Sequence, residues 1–117
     1  MYRIMIVEDD EVIARAVQQS LVSWGMDAFC VQDFSSVLAE FAVKNPQLVL
    51  MDIHLPFFNG FHWCQEIRKV SKVPVIFLSS ASDNMNIIMA VNMGGDDFIA
   101  KPFDLSVLTA KVCLLYT

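Results

Sequence analysis

The stretch Leu48-Val49-Leu50-Met51-Asp52-Ile53-His54-Leu55-Pro56-Phe57-Phe58-Asn59-Gly60 decides the fold. Residues 48–51 are four apolar residues in a row, the pattern of a strand covered on both faces. Asp52 ends the run, and Pro56 with the Asn59-Gly60 pair forces a turn. A carboxylate at the end of a buried strand has lost much of its water. It stays charged only where something positive compensates it. In an open parallel sheet, ligands gather beyond the carboxyl ends of the strands. The question is therefore what else arrives at that edge.

Working back from Asp52, Asn45-Pro46 stops a helix that uses Val37, Leu38 and Phe41, with Asp33 as its expected N-cap. Residues 28–31 form a short strand. Gly25 ends an earlier helix with Val12, Ile13, Ala16, Val17, Leu21 and Trp24 on one side. Before it, residues 2–7 read as a strand followed by four acids, Glu8, Asp9, Asp10 and Glu11. Working forward, Phe61, Cys64 and Ile67 predict a helix ending near Val70, and Pro74 precedes an apolar strand at 75–78. A polar loop at 79–83 leads to a weak helix pattern at 84–93, closed by Gly94-Gly95. Residues 98–100 are a last strand, followed by Lys101-Pro102. Asp104 then caps a final helix with Leu105, Leu108, Val112 and Leu115 at three- and four-residue steps.

Five strand-helix units with short links predict an α/β fold: a doubly wound, five-stranded parallel sheet with helices on both faces, a flavodoxin-like three-layer sandwich. One domain of 117 residues accommodates it.

The chain is 56% hydrophobic, above the usual share, but its apolar residues come in short bursts, so no membrane span is expected. No leader pattern opens the sequence, which makes the cytoplasm the expected location. Cys30, Cys64 and Cys113 are far apart and odd in number, and read as reduced, buried thiols. A net charge of -5 disfavours direct nucleic-acid binding, because phosphate contact needs a basic surface.

In this architecture the strand-to-helix loops share one edge. They bring Glu8, Asp9 and Asp10, then Asp52, Ser79-Ser80 and Lys101 together. Clustered carboxylates repel, and a hard divalent cation relieves that repulsion; Mg2+ suits a few oxygens plus waters. Asp9 and Asp52 are the expected direct ligands, with the backbone carbonyl of His54 completing the set and Glu8 acting through water. Taken alone, residues 8–11 also read as acids placed at a helix N-terminus, worth about 0.3–1 kcal/mol each. Lys101 reads either as a solvated surface lysine or as a cation for Asp52 and a phosphoryl group on it. Ser79 reads as a loop hydroxyl or as a donor to a phosphoryl oxygen, and the Ser80 N–H as a second donor. There is no glycine-rich phosphate loop and no Ser-His-Asp arrangement. His54 and His62 make no metal pair by spacing, and the seven methionines read as core filler.

The acidic pair after the first strand, Met51-Asp52-Ile53-His54-Leu55-Pro56-Phe57-Phe58-Asn59-Gly60, Phe77-Leu78-Ser79-Ser80, and the Asp96-Asp97-Phe98-Ile99-Ala100-Lys101-Pro102-Phe103 segment together resemble a bacterial response-regulator receiver domain. The likeness covers essentially the whole chain. It extends to the OmpR/PhoB type, and Asp33-Phe34 and Phe61-His62-Trp63-Cys64 are similar to bacitracin-response and VirR/GraR-like regulators. The resemblance implies that Asp52 accepts a phosphoryl group from a sensor histidine kinase. It implies that Glu8, Asp9 and Asp52 hold Mg2+, that Ser79 and Lys101 bind phosphoryl oxygens, and that Phe98 is an aromatic switch. A cis Lys101-Pro102 bond is implied as well. So is a homodimer through the face of the fourth helix, fifth strand and fifth helix, with Asp97 and Lys111 as one charge pair. A C-terminal winged-helix DNA-binding domain is expected beyond this sequence, and DNA contact only through it.

Ser79 stands where Thr is commoner, which keeps the hydroxyl and loses a methyl. The Asp52-to-Ser79 interval is short, so a trimmed third helix is expected. Val107 and Cys113 stand where charges are frequent, so the pairing face is expected to be apolar. Two other classes compete: an aspartyl-phosphate phosphotransfer or hydrolytic enzyme, which needs a substrate cap and a second acid, and a pseudo-receiver that only binds partners. The receiver reading expects no turnover of a separate substrate.

Overall fold

The computed structural model describes residues 2–79, 92 and 94–116. Strands β1 (Arg3–Val7), β2 (Asp27–Cys30), β3 (Leu48–Asp52), β4 (Val75–Ser79) and β5 (Asp97–Ala100) form one parallel sheet in the order β2-β1-β3-β4-β5. The described helices are α1 (Glu11–Ser23), α2 (Val37–Lys44), α3 (Gly60–Arg68) and α4 (Leu105–Tyr116). The helix expected at 84–93 and the Ser80 N–H lie outside the described residues.

The strands sort the core by parity, because successive side chains point to opposite faces. Ile4, Ile6, Leu48, Leu50, Ile76 and Leu78 join one apolar layer with Ala14, Val17 and Leu21 of α1 and Leu108 and Val112 of α4. Met5, Val7, Val49, Met51, Val75 and Phe77 join the other with α2 and α3. β3 and β4 are buried throughout, as an interior parallel strand must be.

Three local expectations are corrected. α1 turns Ala14, Val17 and Leu21 inward, whereas Val12 is 79% and Trp24 68% exposed. Val12 lies about 160° around the helix from Ala14, and Trp24 is the C-cap, already off the helical path. Asp33 does not cap α2. Its Oδ1 accepts from the N–H (3.0 Å) and Oγ (2.6 Å) of Ser35, a local turn that competes with the helix, which begins after Ser36. β2 starts and ends one residue earlier than expected. Asp104 does behave as a cap: its carbonyl accepts from Leu108 N–H and its Oδ1 from Ser106 N–H. The Lys101-Pro102 bond is cis.

The turn after β3 is held tightly. Gly60 N–H donates to Ile53 O (2.9 Å), and a Cβ at Gly60 would lie 2.2 Å from Asp52 O, so only glycine fits. Within the turn, Phe58 N–H donates to Pro56 O around Phe57, whose φ is +69°. That is a tight three-residue turn in a conformation L-residues avoid. On the opposite edge of the sheet, Arg68 donates from Nε and Nη2 to Gly94 O, from Nη1 to Val73 O and from Nη2 to Asp96 Oδ2. Asp96 Oδ2 also accepts from Val75 N–H, which ties the end of α3 to the starts of β4 and β5.

Candidate functional site

The strand order reverses at β1, so a crevice opens between β1 and β3 at their carboxyl ends. The register fills it. Val7 lies opposite Met51, so Glu8 and Asp9 leave β1 beside Asp52. Asp52 lies opposite Leu78, Ser79 follows, and Ser79 lies opposite Ala100, which precedes Lys101. Four distant segments thus reach one rim.

Glu8, Asp9 and Asp52 each offer a carboxylate oxygen within 4.8 Å of the others. Glu8 and Asp52 are buried, at 3% and 4% exposure, while Asp9 faces solvent. The Lys101 ammonium bonds Glu8 Oε1 and stands 3.5 Å from Asp52 Oδ2. The other Glu8 oxygen accepts from Asp10 N–H (3.2 Å). Ser79 is fully buried at the end of β4, and its carbonyl accepts from Lys101 N–H. His54 lies exposed two residues beyond Asp52.

Burial raises Glu8 above its ordinary 4.5; the Lys101 bond offsets part of this, and Asp52 adds to it. Burial also raises Asp9, with Glu8 contributing. At Lys101, burial pulls the ammonium down, but Glu8 and Asp52 more than reverse it and hold it above 10.5. Three carboxylates facing one ammonium leave an excess of negative charge in a partly dry crevice. Hard oxygen donors with surplus charge fit a divalent cation such as Mg2+.

Phe98 is half-buried beside Phe77 and packs on the face that carries α2 and α3. Asp97 and Lys111 pair with each other inside the chain, at 2.9 Å. His62 belongs to no metal-holding cluster among the described residues; its ring stacks on Phe58 at 4.3 Å. Sequence reasoning aimed Lys101 at Asp52 and missed its closer bond to Glu8. It also missed the Arg68 junction, for which the sequence carries no local signal.

Residues 4–113 match the family described as the response regulator receiver domain. The chain is 44% identical over 116 residues to the sensory transduction protein BceR of Bacillus subtilis, covering 99% of this chain and 50% of that protein. It is 39% identical over 114 residues to the response regulator protein GraR of Staphylococcus haemolyticus, covering 97% of this chain and 51% of that protein. The chain thus spans about half the length of the curated relatives it matches. Among solved structures, the N-terminal domain of the nisin resistance regulator NsrR superposes with a TM-score of 0.91 at 46% identity, covering 100% of this chain and 99% of that one.

Proposed function

The chain belongs to the response-regulator receiver family, in its OmpR/PhoB branch, and from that premise we propose that Asp52 is the phosphoacceptor of a two-component signalling protein. The observation that carries this reading is the meeting of Asp52 with the Glu8-Asp9 pair and Lys101 on one rim.

A carboxylate oxygen of Asp52 attacks the phosphorus of a phosphohistidine on a sensor histidine kinase, or of a small acyl phosphate. The new O–P bond forms as the bond to the leaving nitrogen or oxygen breaks, and the leaving group keeps that electron pair. Asp9, Asp52 and the His54 carbonyl would hold Mg2+, with Glu8 acting through water. When bound, this ion supplies charge neutralisation at the phosphoryl oxygens. Lys101 contributes positive charge from the β5 side. The product carries about -1.5 to -2 charge by analogy with other phosphorylated side chains. Ser79 donates its hydroxyl to one new oxygen, and Phe98 turns inward behind it.

The readout is pairing of two copies through β5, α4 and the segment between β4 and β5. Asp97 and Lys111 exchange their internal partners for those of the second copy. DNA is reached through a C-terminal domain, and the protein acts in the cytoplasm without turning over a separate substrate. Incubation with acetyl phosphate and Mg2+, followed by intact-mass measurement, tests the central step. One phosphoryl adduct, lost in Asp52→Ala, is expected. An adduct that persists in Asp52→Ala contradicts the assignment.

A further inference from the structure

Residues 8–11 are all acids, yet among the described residues only Glu8 and Asp9 join Asp52 in a group able to hold a cation. Asp10 turns to the helix instead. Its Oδ1 accepts from the N–H groups of Val12 (3.0 Å) and Ile13 (3.3 Å), and its carbonyl accepts from Ala14 N–H (2.9 Å). These bonds hold Asp10 in the extended backbone of an N-cap, at φ -77° and ψ 106°. The direction of a backbone N–H follows from the dihedrals around it. At Asp10 it points back onto Glu8 Oε2, at 3.2 Å.

Glu8 needs such a restraint. It is buried, and a glutamate loses considerable rotamer freedom when one orientation is imposed on it. Lys101 takes Oε1 and the Asp10 N–H takes Oε2, so the carboxylate is held from two sides. The two donors differ in how they meet an incoming divalent ion. The ammonium has the same sign of charge and is repelled by it; the amide carries no net charge and is not. We propose that Asp10 is a positioning residue for phosphoryl transfer: by capping α1 it aims its own N–H at Glu8, keeps that carboxylate set for the cation and its water, and makes cation loading and the first turn of α1 interdependent. It rests on the reading of Glu8, Asp9 and Asp52 as a cation site. The Asp10 carboxylate itself touches neither the cation nor the phosphoryl group; it acts through Glu8.

Titration of the 117-residue chain with Mg2+ alone, followed by backbone-amide NMR, tests this in the parent, Asp10→Asn and Asp10→Ala. Both substitutions remove the same charge, but Asn keeps a capping oxygen and Ala does not. The difference between them therefore reads geometry. Asp10→Ala is expected to bind Mg2+ about three- to tenfold more weakly than Asp10→Asn, with thermal melting showing that both are folded at the titration temperature. The gap should close when both are made in a Glu8→Ala background, because the cap then has no carboxylate to aim. Coupling is reciprocal, so saturating Mg2+ should slow amide exchange at Val12 and Ile13 of the parent by a similar factor. A residue that only caps the helix would lower the melting temperature of Asp10→Ala and leave the two Mg2+ affinities equal, which overturns the proposal. A gap that persists without Glu8, or unchanged exchange at Val12 and Ile13, overturns it as well. In each of these cases the parent still binds Mg2+ and the cation site stands. A parent chain that takes up no Mg2+ overturns the cation site and this proposal together.

Discussion

The ammonium of Lys101 bonds the carboxylate of Glu8, 93 positions earlier in the chain, and lies 3.5 Å from Asp52. One cation therefore joins the first and last strand-end loops across the crevice. Removing it strands two buried carboxylates. Lys101→Ala is expected to cost about 2–3 kcal/mol in divalent-free buffer, toward the low side for a broken buried pair because a carboxyl can take up a proton. Added Mg2+ should recover part of the loss. Urea denaturation with EDTA and with Mg2+ measures both; equal losses in the two buffers would show that Lys101 does not share its task with a cation.

The raised carboxyls give a pH dependence of definite sign. Glu8 and Asp9 bind their protons more tightly folded than unfolded, chiefly because burial penalises the charge. Their contribution to stability is full below the ordinary values and is lost as pH rises through the folded ones. Without divalent ions, unfolding free energy should fall as pH rises through the window just above 4.5, and Glu8→Gln should flatten that fall. Asp33 and Asp104, held low by hydrogen bonds from Ser35 and Ser106, act in the opposite sense at lower pH. Lys101 contributes stability that disappears above 10.5. Denaturant titrations run upward in pH from the ordinary carboxyl values check the first window.

Gly60 has no room for a methyl group. With a Cβ 2.2 Å from the Asp52 carbonyl oxygen, Gly60→Ala must push α3 away from β3. A loss of about 2–3 kcal/mol is expected, together with slower phosphoryl uptake from acetyl phosphate, because the displaced turn carries His54. A variant with unchanged stability would show that the turn yields freely.

Phe57 presents the opposite case. It is 77% exposed and held at φ +69°. Phe57→Gly removes the steric cost and little packing, so a gain of about 1 kcal/mol is expected. A rise in Tm on calorimetry checks it.

Arg68 spreads its planar donors over Gly94, Val73 and Asp96. A lysine reaches only part of that set as a point charge. Arg68→Lys should therefore cost about 1–2 kcal/mol, with amide exchange accelerated at Val75 and Asp96, whose N–H groups bond at this junction.

The alternation of apolar bursts and turn residues determined the order of elements, the parallel sheet and the identity of the groups on its carboxyl edge. Burial of a strand or helix face is encoded by local periodicity, and a short βα link leaves little choice of edge. Tertiary structure alone decided that Lys101 bonds Glu8 more closely than Asp52, that Asp97 and Lys111 pair within one chain, that Arg68 ties three segments together, and that Trp24 faces outward. Each depends on distances through space between residues far apart in sequence, or on where a helix stops and its last side chain leaves the apolar stripe. Those distances are set by strand register and side-chain length, which no window along the chain contains.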